Sequence, residues 1–174
     1  LTDEQLSTLS AAQVAALGTE QIGALTSGQL NAIDTGDVTS ITTSQLAAIS
    51  SSNLAAWDVD HVKALSTQQL ASLGTEQVSA LTTDHLAALD SAQLQSLTTE
   101  QVAALTTSQL PGIETRDLIV MGTDQIAAIP SDRINALTTE QVASLTSTQL
   151  AAMGSAQIAG LSSEQLAAIE VVDV

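Results

Sequence analysis

Large apolar residues recur along the chain at spacings of five and three that alternate without a break: Leu1, Leu6, Leu9, Val14, Leu17 and Ile22 open a series that runs to Leu161 and Leu166. The period is eight, so residues 1–168 divide into 21 octads, seen most cleanly in Leu97–Ala104 (LTTEQVAA) and Leu137–Ser144 (LTTEQVAS). Position 1 of the octad is Leu in thirteen units, Ile in five, Met in two (Met121, Met153) and Trp in one (Trp57), while position 6 is always Leu, Val or Ile. These two positions form the expected core. Between them lie mostly Thr, Ser, Gly or Asp at positions 2 and 3, Gln at position 5 in fifteen units, and Ala, Ser or Gly at positions 7 and 8.

The pattern excludes both regular continuous elements. At about 100° per residue, eight residues of α-helix advance by roughly 800°, so the apolar pair would drift about 80° per octad and never form a stripe. In a strand, positions 1 and 6 have opposite parity and would face opposite sides. A Ser or Thr followed three residues later by Gln is instead the spacing of a capping box, in which the hydroxyl accepts from a backbone N–H of the first helical turn and the long side chain reaches back to the cap. With position 2 as the cap, positions 1 and 6 become the partners of a hydrophobic staple. Each octad therefore predicts one very short helix followed by a bend. Acidic residues at position 4, such as Glu4, Glu20, Glu76, Glu100 and Glu140, fall in the first turn, where the helix dipole favours them.

Helices of five or six residues do not stand alone, because nucleation is costly, so they must stack. The fold class expected is all-α, a solenoid with one short helix per octad and about two to three octads per superhelical turn. The distribution of acidic residues at position 4 suggests two and a half. Residues 1–168 form this solenoid, and 169–174 (IEVVDV), which abandon the phrase and are rich in valine, are expected to be a connector or strand.

Composition narrows the function classes. Nineteen acidic residues against Lys63, Arg116 and Arg133 give a formal net charge of −16, which repels phosphate backbones and anionic lipid; no nucleic-acid partner is expected. No apolar run is long enough to span a bilayer. The absence of cysteine excludes disulfides and thiolate metal sites. The chain opens on Leu1 already in register, and its start does not resemble a signal peptide, so it is expected to be a mature fragment or a segment of a longer chain.

Several units depart from the phrase. In unit 5, Asp34 and Asp37 flank Gly36, with Asp34 expected as cap and too few oxygens for calcium. In unit 8, Trp57 takes a core slot, expected to pack rather than to serve as an exposed anchor. His61 and His85 share position 5 three octads apart; with three octads per turn they would stack, and at two and a half they would be offset. Neither has a second histidine nearby, so capping is expected rather than metal binding. The stretch Leu105–Ala136 is the least regular, and Pro111, Gly112, Arg116, Pro130 and Arg133 within it are the candidate interaction region. Neither end carries a polar capping unit, so Leu1 at one end and Val171, Val172 and Val174 at the other are candidate contacts with flanking domains or a second copy.

No nucleophile–base pair, phosphate loop or metal spacing is discernible, so no catalytic residue, metal or cofactor is expected and the chain does not read as an enzyme. The phrase LTTEQVAAL resembles the tandem octapeptide segments (LTxxQVAAL) of very large secreted or surface-attached bacterial adhesin-like proteins. It is also similar to the opening helix of transcription-activator-like effector repeats (LTPEQVVAIA), but those repeats are longer, carry a base-reading pair and belong to basic proteins. The first resemblance implies an extracellular stalk or fibre. The expected function is accordingly a structural rod or filament segment of a bacterial surface protein that self-associates end to end; the alternative is an adhesive module that grips a polysaccharide or surface protein with its solenoid face.

Overall fold

A computed structural model describes residues 1–172, with side chains through residue 169. It is all-helical, with one short element per octad: eighteen α-helices, from Asp3–Ser7 to Ser163–Val172, and three 3-10 segments, Thr35–Ser40, Leu110–Gly112 and Ile134–Ala136. The boundaries follow the caps. In unit 13, Thr98 is extended (φ −70°, ψ 160°) and its hydroxyl accepts from the Gln101 N–H; the helix Thr99–Ala104 follows, and Leu105 is extended again (φ −57°, ψ 137°). Two extended residues at positions 1 and 2 thus turn the chain between successive helices.

The 3-10 segments coincide with damage to the phrase. Unit 5 has Asp37 where Gln belongs, and its cap Asp34 accepts from Gly36 N–H instead of from a residue three on. Pro111 in unit 14 has no N–H for the α-helical bond back to Thr107, and the chain tightens over Leu110–Gly112. Unit 17 has Pro130 at position 2 and Arg133 at position 5.

Each helix packs on the one three octads away. Asp3–Ser7 lies against Ser27–Asn31, Ser51–Ala55 against Thr75–Ala80, Thr99–Ala104 against Thr123–Ala128, and Thr139–Ser144 against Ser163–Val172. Bonds between layers span 25 to 31 residues, so a turn takes a little over three octads. That is the upper end of the expected range, and it replaces the two and a half suggested by the acidic residues. Those residues lie on the outer surface, where nothing forces their spacing to follow the turn. Twenty-one octads give seven layers, about 60–70 Å of rod at the usual 8–10 Å between packed helices.

Positions 1 and 6 converge on a single axial core. Val14, Ile22, Leu30, Leu46, Leu54, Val62, Leu70, Val78 and Leu86 are fully buried, and Trp57 is 3% exposed, a packed core residue. Small residues at positions 7 and 8 let layers approach. A Cβ placed on Gly160 would collide with Ser131 O and Ile134 Cγ2, and one on Gly23 would stand 2.8 Å from Ala48 O. No glycine among the described residues has positive φ, so these glycines serve proximity rather than turn geometry.

The tail departs from expectation. Rather than becoming extended after position 1, the last helix continues through Val172. The physical reason is a missing cap: the residue at the next position 2 is Glu170, not Ser, Thr, Gly or Asp, and without a cap the helix has no instruction to stop. Val171 and Val172 are helical in backbone, with side chains outside the described residues, and Val174 lies outside them altogether.

Gly160→Ala is expected to lower stability by about 1–3 kcal/mol, the usual cost of overpacking. Gly28→Ala, inside the helix Ser27–Asn31 with nothing within 4 Å of the new methyl, should be neutral or better. Urea denaturation of the two variants checks the contrast.

Candidate functional site

The side chain at position 5 performs two tasks. Its amide oxygen accepts from the backbone N–H of its own cap, as in Thr98 N–H to Gln101 Oε1 at 2.8 Å. Its amide nitrogen points the other way, into the layer beneath. Gln101 Nε2 donates to Leu73 O at 2.7 Å and to Leu70 O at 2.9 Å, which are the carbonyls of position 1 twenty-eight residues back and position 6 thirty-one back. The same pair of bonds recurs at Gln45, Gln69, Gln77, Gln109, Gln125, Gln141, Gln149 and Gln157. Gln29 reaches Leu1 O, Gln93 reaches Leu65 O, and Gln165 reaches Leu137 O. These amides form a ladder that runs the length of the solenoid. From Gln45 onward its glutamines are buried, and each stays satisfied at both ends, as burial of a polar group requires.

The sequence exceptions make sense as members of this ladder. His85 reproduces the glutamine atom for atom: Nδ1 accepts from Thr82 N–H at 3.1 Å and Nε2 lies 2.9 Å from Trp57 O. That network assigns the tautomer with the proton on Nε2, and it leaves no ring nitrogen to bind a metal. His61 sits one stack position below, with Nε2 2.8 Å from Ile33 O. Its cap N–H, on Asp58, is already taken by Asn31 Oδ1 from the layer beneath at 3.0 Å, which leaves His61 Nδ1 buried without a partner. The neighbouring Trp57, whose ring centroid is 5.8 Å away, also has an unpartnered Nε1. The two histidines therefore do occupy successive layers, each engaged with its own backbone carbonyl. Among the described residues no group of three or more His, Asp or Glu could hold a metal ion.

Asn53 is shorter and reaches only Leu25 O. Arg133 stretches to Ala103 O and Leu105 O, both at 2.9 Å. An arginine cannot accept, but the cap of its unit is Pro130, which has no N–H to offer. The two substitutions remove both halves of one bond and are compatible only as a pair. Asp117 is a true exception: a buried carboxylate with no donor for the layer beneath, it accepts from Ser91 Oγ instead.

Of the candidate interaction residues, Pro111, Gly112 and Arg116 meet in one shallow surface depression, together with Glu114, Thr115, Thr138, Glu140 and Gln141. Arg116 is exposed there and paired with Glu114 at 2.7 Å. Pro130 and Arg133 do not join it, because Arg133 turns inward to the ladder. Ile119 and Val120, at positions 7 and 8, are each 40% exposed, and Val120 lines a separate depression with Gln95, Thr98 and Asp124. The capping half of position 5 is evident from sequence, and the interlayer half is not. Its signal is in four of the six substitutes, Asn53, His61, His85 and Arg133, which carry a hydrogen-bond donor, whereas Asp37 and Asp117 do not.

Gln101→Glu keeps the cap acceptor but sets a carboxylate against two carbonyls, and is expected to cost about 2–3 kcal/mol; Gln101→His should cost less. Pro130→Thr alone adds an N–H without an acceptor and should destabilise, whereas Pro130→Thr with Arg133→Gln restores the common box. A double-mutant cycle by urea denaturation should therefore show favourable coupling of about 1 kcal/mol or more.

Among the described residues no helix is long and apolar enough to cross a membrane. No curated protein matches the chain. A family described as the ALTTAQ repeat matches it in five tandem segments, residues 1–32, 30–67, 60–91, 85–112 and 110–147. The hexapeptide of that description spans position 8 to position 5 of the octad, as in Ala104–Gln109 (ALTTSQ), and ends on the ladder glutamine. With matches from residue 1 to residue 147, the chain belongs to the ALTTAQ repeat family.

Proposed function

We propose that the chain is a structural protein, a rod that serves as a stalk or filament segment of an extracellular bacterial surface protein and associates end to end with further turns of the same kind. The observation that supports this most is the ladder itself. Side-chain bonds tie each layer to the backbone of the next at a fixed offset, and the same offset recurs from Gln29 to Gln165. Such a device sets axial spacing and resists bending, and the residues that make it are spent on the interior. The location rests on the likeness of the octad to the repeats of large bacterial adhesin-like proteins. The net charge of −16 favours solubility and keeps rods apart laterally.

A second reading, an adhesive module for a polysaccharide or surface protein, draws on the depression at Pro111, Gly112 and Arg116 and, separately, on the exposed Ile119 and Val120. It is the weaker one, since the only base in that depression is already paired with Glu114. A glycan array and pull-down in which Ile119→Ser with Val120→Ser abolishes a hit would favour it.

Small-angle scattering of the dilute chain is expected to give a radius of gyration of about 20 Å, that of a rod of seven layers, against about 16 Å for a globule of the same length. A globular value at all concentrations would remove the structural reading.

A further inference from the structure

The octad uses its hydroxyls unequally. At position 2 all twelve Ser and Thr side chains are bonded to position 5 of their own unit, from Thr2 with Gln5 to Ser162 with Gln165. At positions 7 and 8, seven of the eight hydroxyls turn back onto the carbonyl three residues earlier, as Ser72 does onto Gln69. Position 3 differs. Eighteen of its 21 residues are Ser or Thr, yet among the described residues only Thr83 and Ser91 have a partner, Ser108 O and Asp117 Oδ1. The other sixteen hydroxyls are unbonded, and twelve of them stand on exposed residues.

Neither folding nor solvation explains the restriction. Position 3 is the first residue of the helix, and helices begin equally well on Asp3, Ala11 and Val59. Thr is moreover a poorer helix former than Ala. The next residue, position 4, is exposed in all 21 units and carries eight residue types, so contact with water alone leaves a position free to vary. The cap, whose hydroxyl has a structural task, is Ser or Thr in only twelve units. A hydroxyl kept more strictly where the fold makes no use of it serves something outside the fold.

Stacking sets these hydroxyls in files. Thr75, Thr99, Thr123 and Ser147 head four helices that pack each on the next, and all four are exposed, about 8–10 Å apart along the rod. The surface around them offers little to grip a ligand, since the chain has no Phe or Tyr and Trp57 is buried. Glu76, Glu100 and Asp124 follow the three threonines directly. Beside those carboxylates a phosphate would add a charge of about −1.5 to −2 at each site, on a chain already at −16. A neutral sugar meets no such repulsion, and a covalent bond needs no binding surface. No Asn of the chain is followed two residues later by Ser or Thr, which excludes the usual attachment through asparagine.

We propose that position 3 is the attachment site of O-linked sugars, so that the rod carries a neutral glycan coat in files along its length. This rests on the extracellular reading above and adds a modification to it. The reaction takes a glycosyltransferase and an activated donor, a sugar joined through its anomeric carbon to a diphosphate. The hydroxyl oxygen of Ser or Thr attacks that carbon, the bond to the diphosphate oxygen breaks, and the hydroxyl proton passes to a base of the transferase. An O-glycosidic bond and a free diphosphate remain.

The mass of the chain purified from the cells that make it should exceed that of the same chain synthesised in a cell-free system by whole sugar residues. Fragmentation that preserves side-chain attachments should place them at position 3, Thr75, Thr99 and Thr123 among them, and not on caps such as Thr98 and Thr138. The variant Thr75→Ala, Thr99→Ala, Thr123→Ala, Ser147→Ala should lose the sugars of that file when made in the same cells. Made cell-free, it should keep the urea midpoint of the parent. An unmodified chain, phosphate in place of sugar, sugars as frequent on the caps as at position 3, or a lower urea midpoint of the variant would each overturn the proposal. An unmodified chain with rod-like scattering overturns it while leaving the structural reading intact; a glycosylated globule defeats the structural reading alone.

Discussion

The fold depends on a primary amide that is bonded at both ends. Its oxygen closes the capping box of its own octad, and its nitrogen joins two carbonyls of the layer beneath. An isolated octad has nothing to gain from the second bond, and a helix of five or six residues has too few internal bonds to persist. Stacking supplies both deficits together. Local and long-range structure therefore form through the same residue, and stability is gained layer by layer, as expected of a solenoid with nearest-neighbour coupling.

The requirement at position 5 is chemical rather than geometric. Glutamine, histidine, asparagine and arginine differ in shape and charge, yet all donate toward the layer below, and the backbone accommodates their different reach. Where no donor exists, the layer is altered: Asp37 accompanies a 3-10 segment, and Asp117 draws a serine hydroxyl up to itself. The Trp57–His61 pair shows the opposite condition, in which a cap N–H is captured from below by Asn31 and a ring nitrogen is left without a partner. A buried group of that kind costs about 1–3 kcal/mol, so unit 8 is a weak point in a core that is otherwise closed.

Much of this is legible in the residues. The spacing of positions 1 and 6, with Ser or Thr at 2 and Gln at 5, encodes staple, cap and bend, and the helices begin and end where it says. The number of octads per turn is not legible, because the ladder nitrogen bonds to backbone carbonyls. Any residue supplies a carbonyl, so the partner leaves no trace in the side chains. The acidic residues whose spacing suggests a turn lie on the outside, free of that constraint. The tail misleads for a related reason: its valines suit a strand, but the absence of a cap at Glu170 weighs more. Arg133 reads as a surface residue from its charge, although Pro130 three residues earlier holds the clue to its inward role.

The offset between a glutamine and its carbonyls restricts how such a chain can change length. Loss of a single residue would set every later amide against the wrong backbone atom one turn down and move the apolar pairs off the axis. Loss of a whole octad leaves each box intact and rotates all that follows by about a third of a turn. Loss of three octads shortens the rod by nearly one layer and returns each surface feature almost to its original side. Variation in length by whole octads is thus tolerated by the interior, and its cost falls on whatever reads the outside.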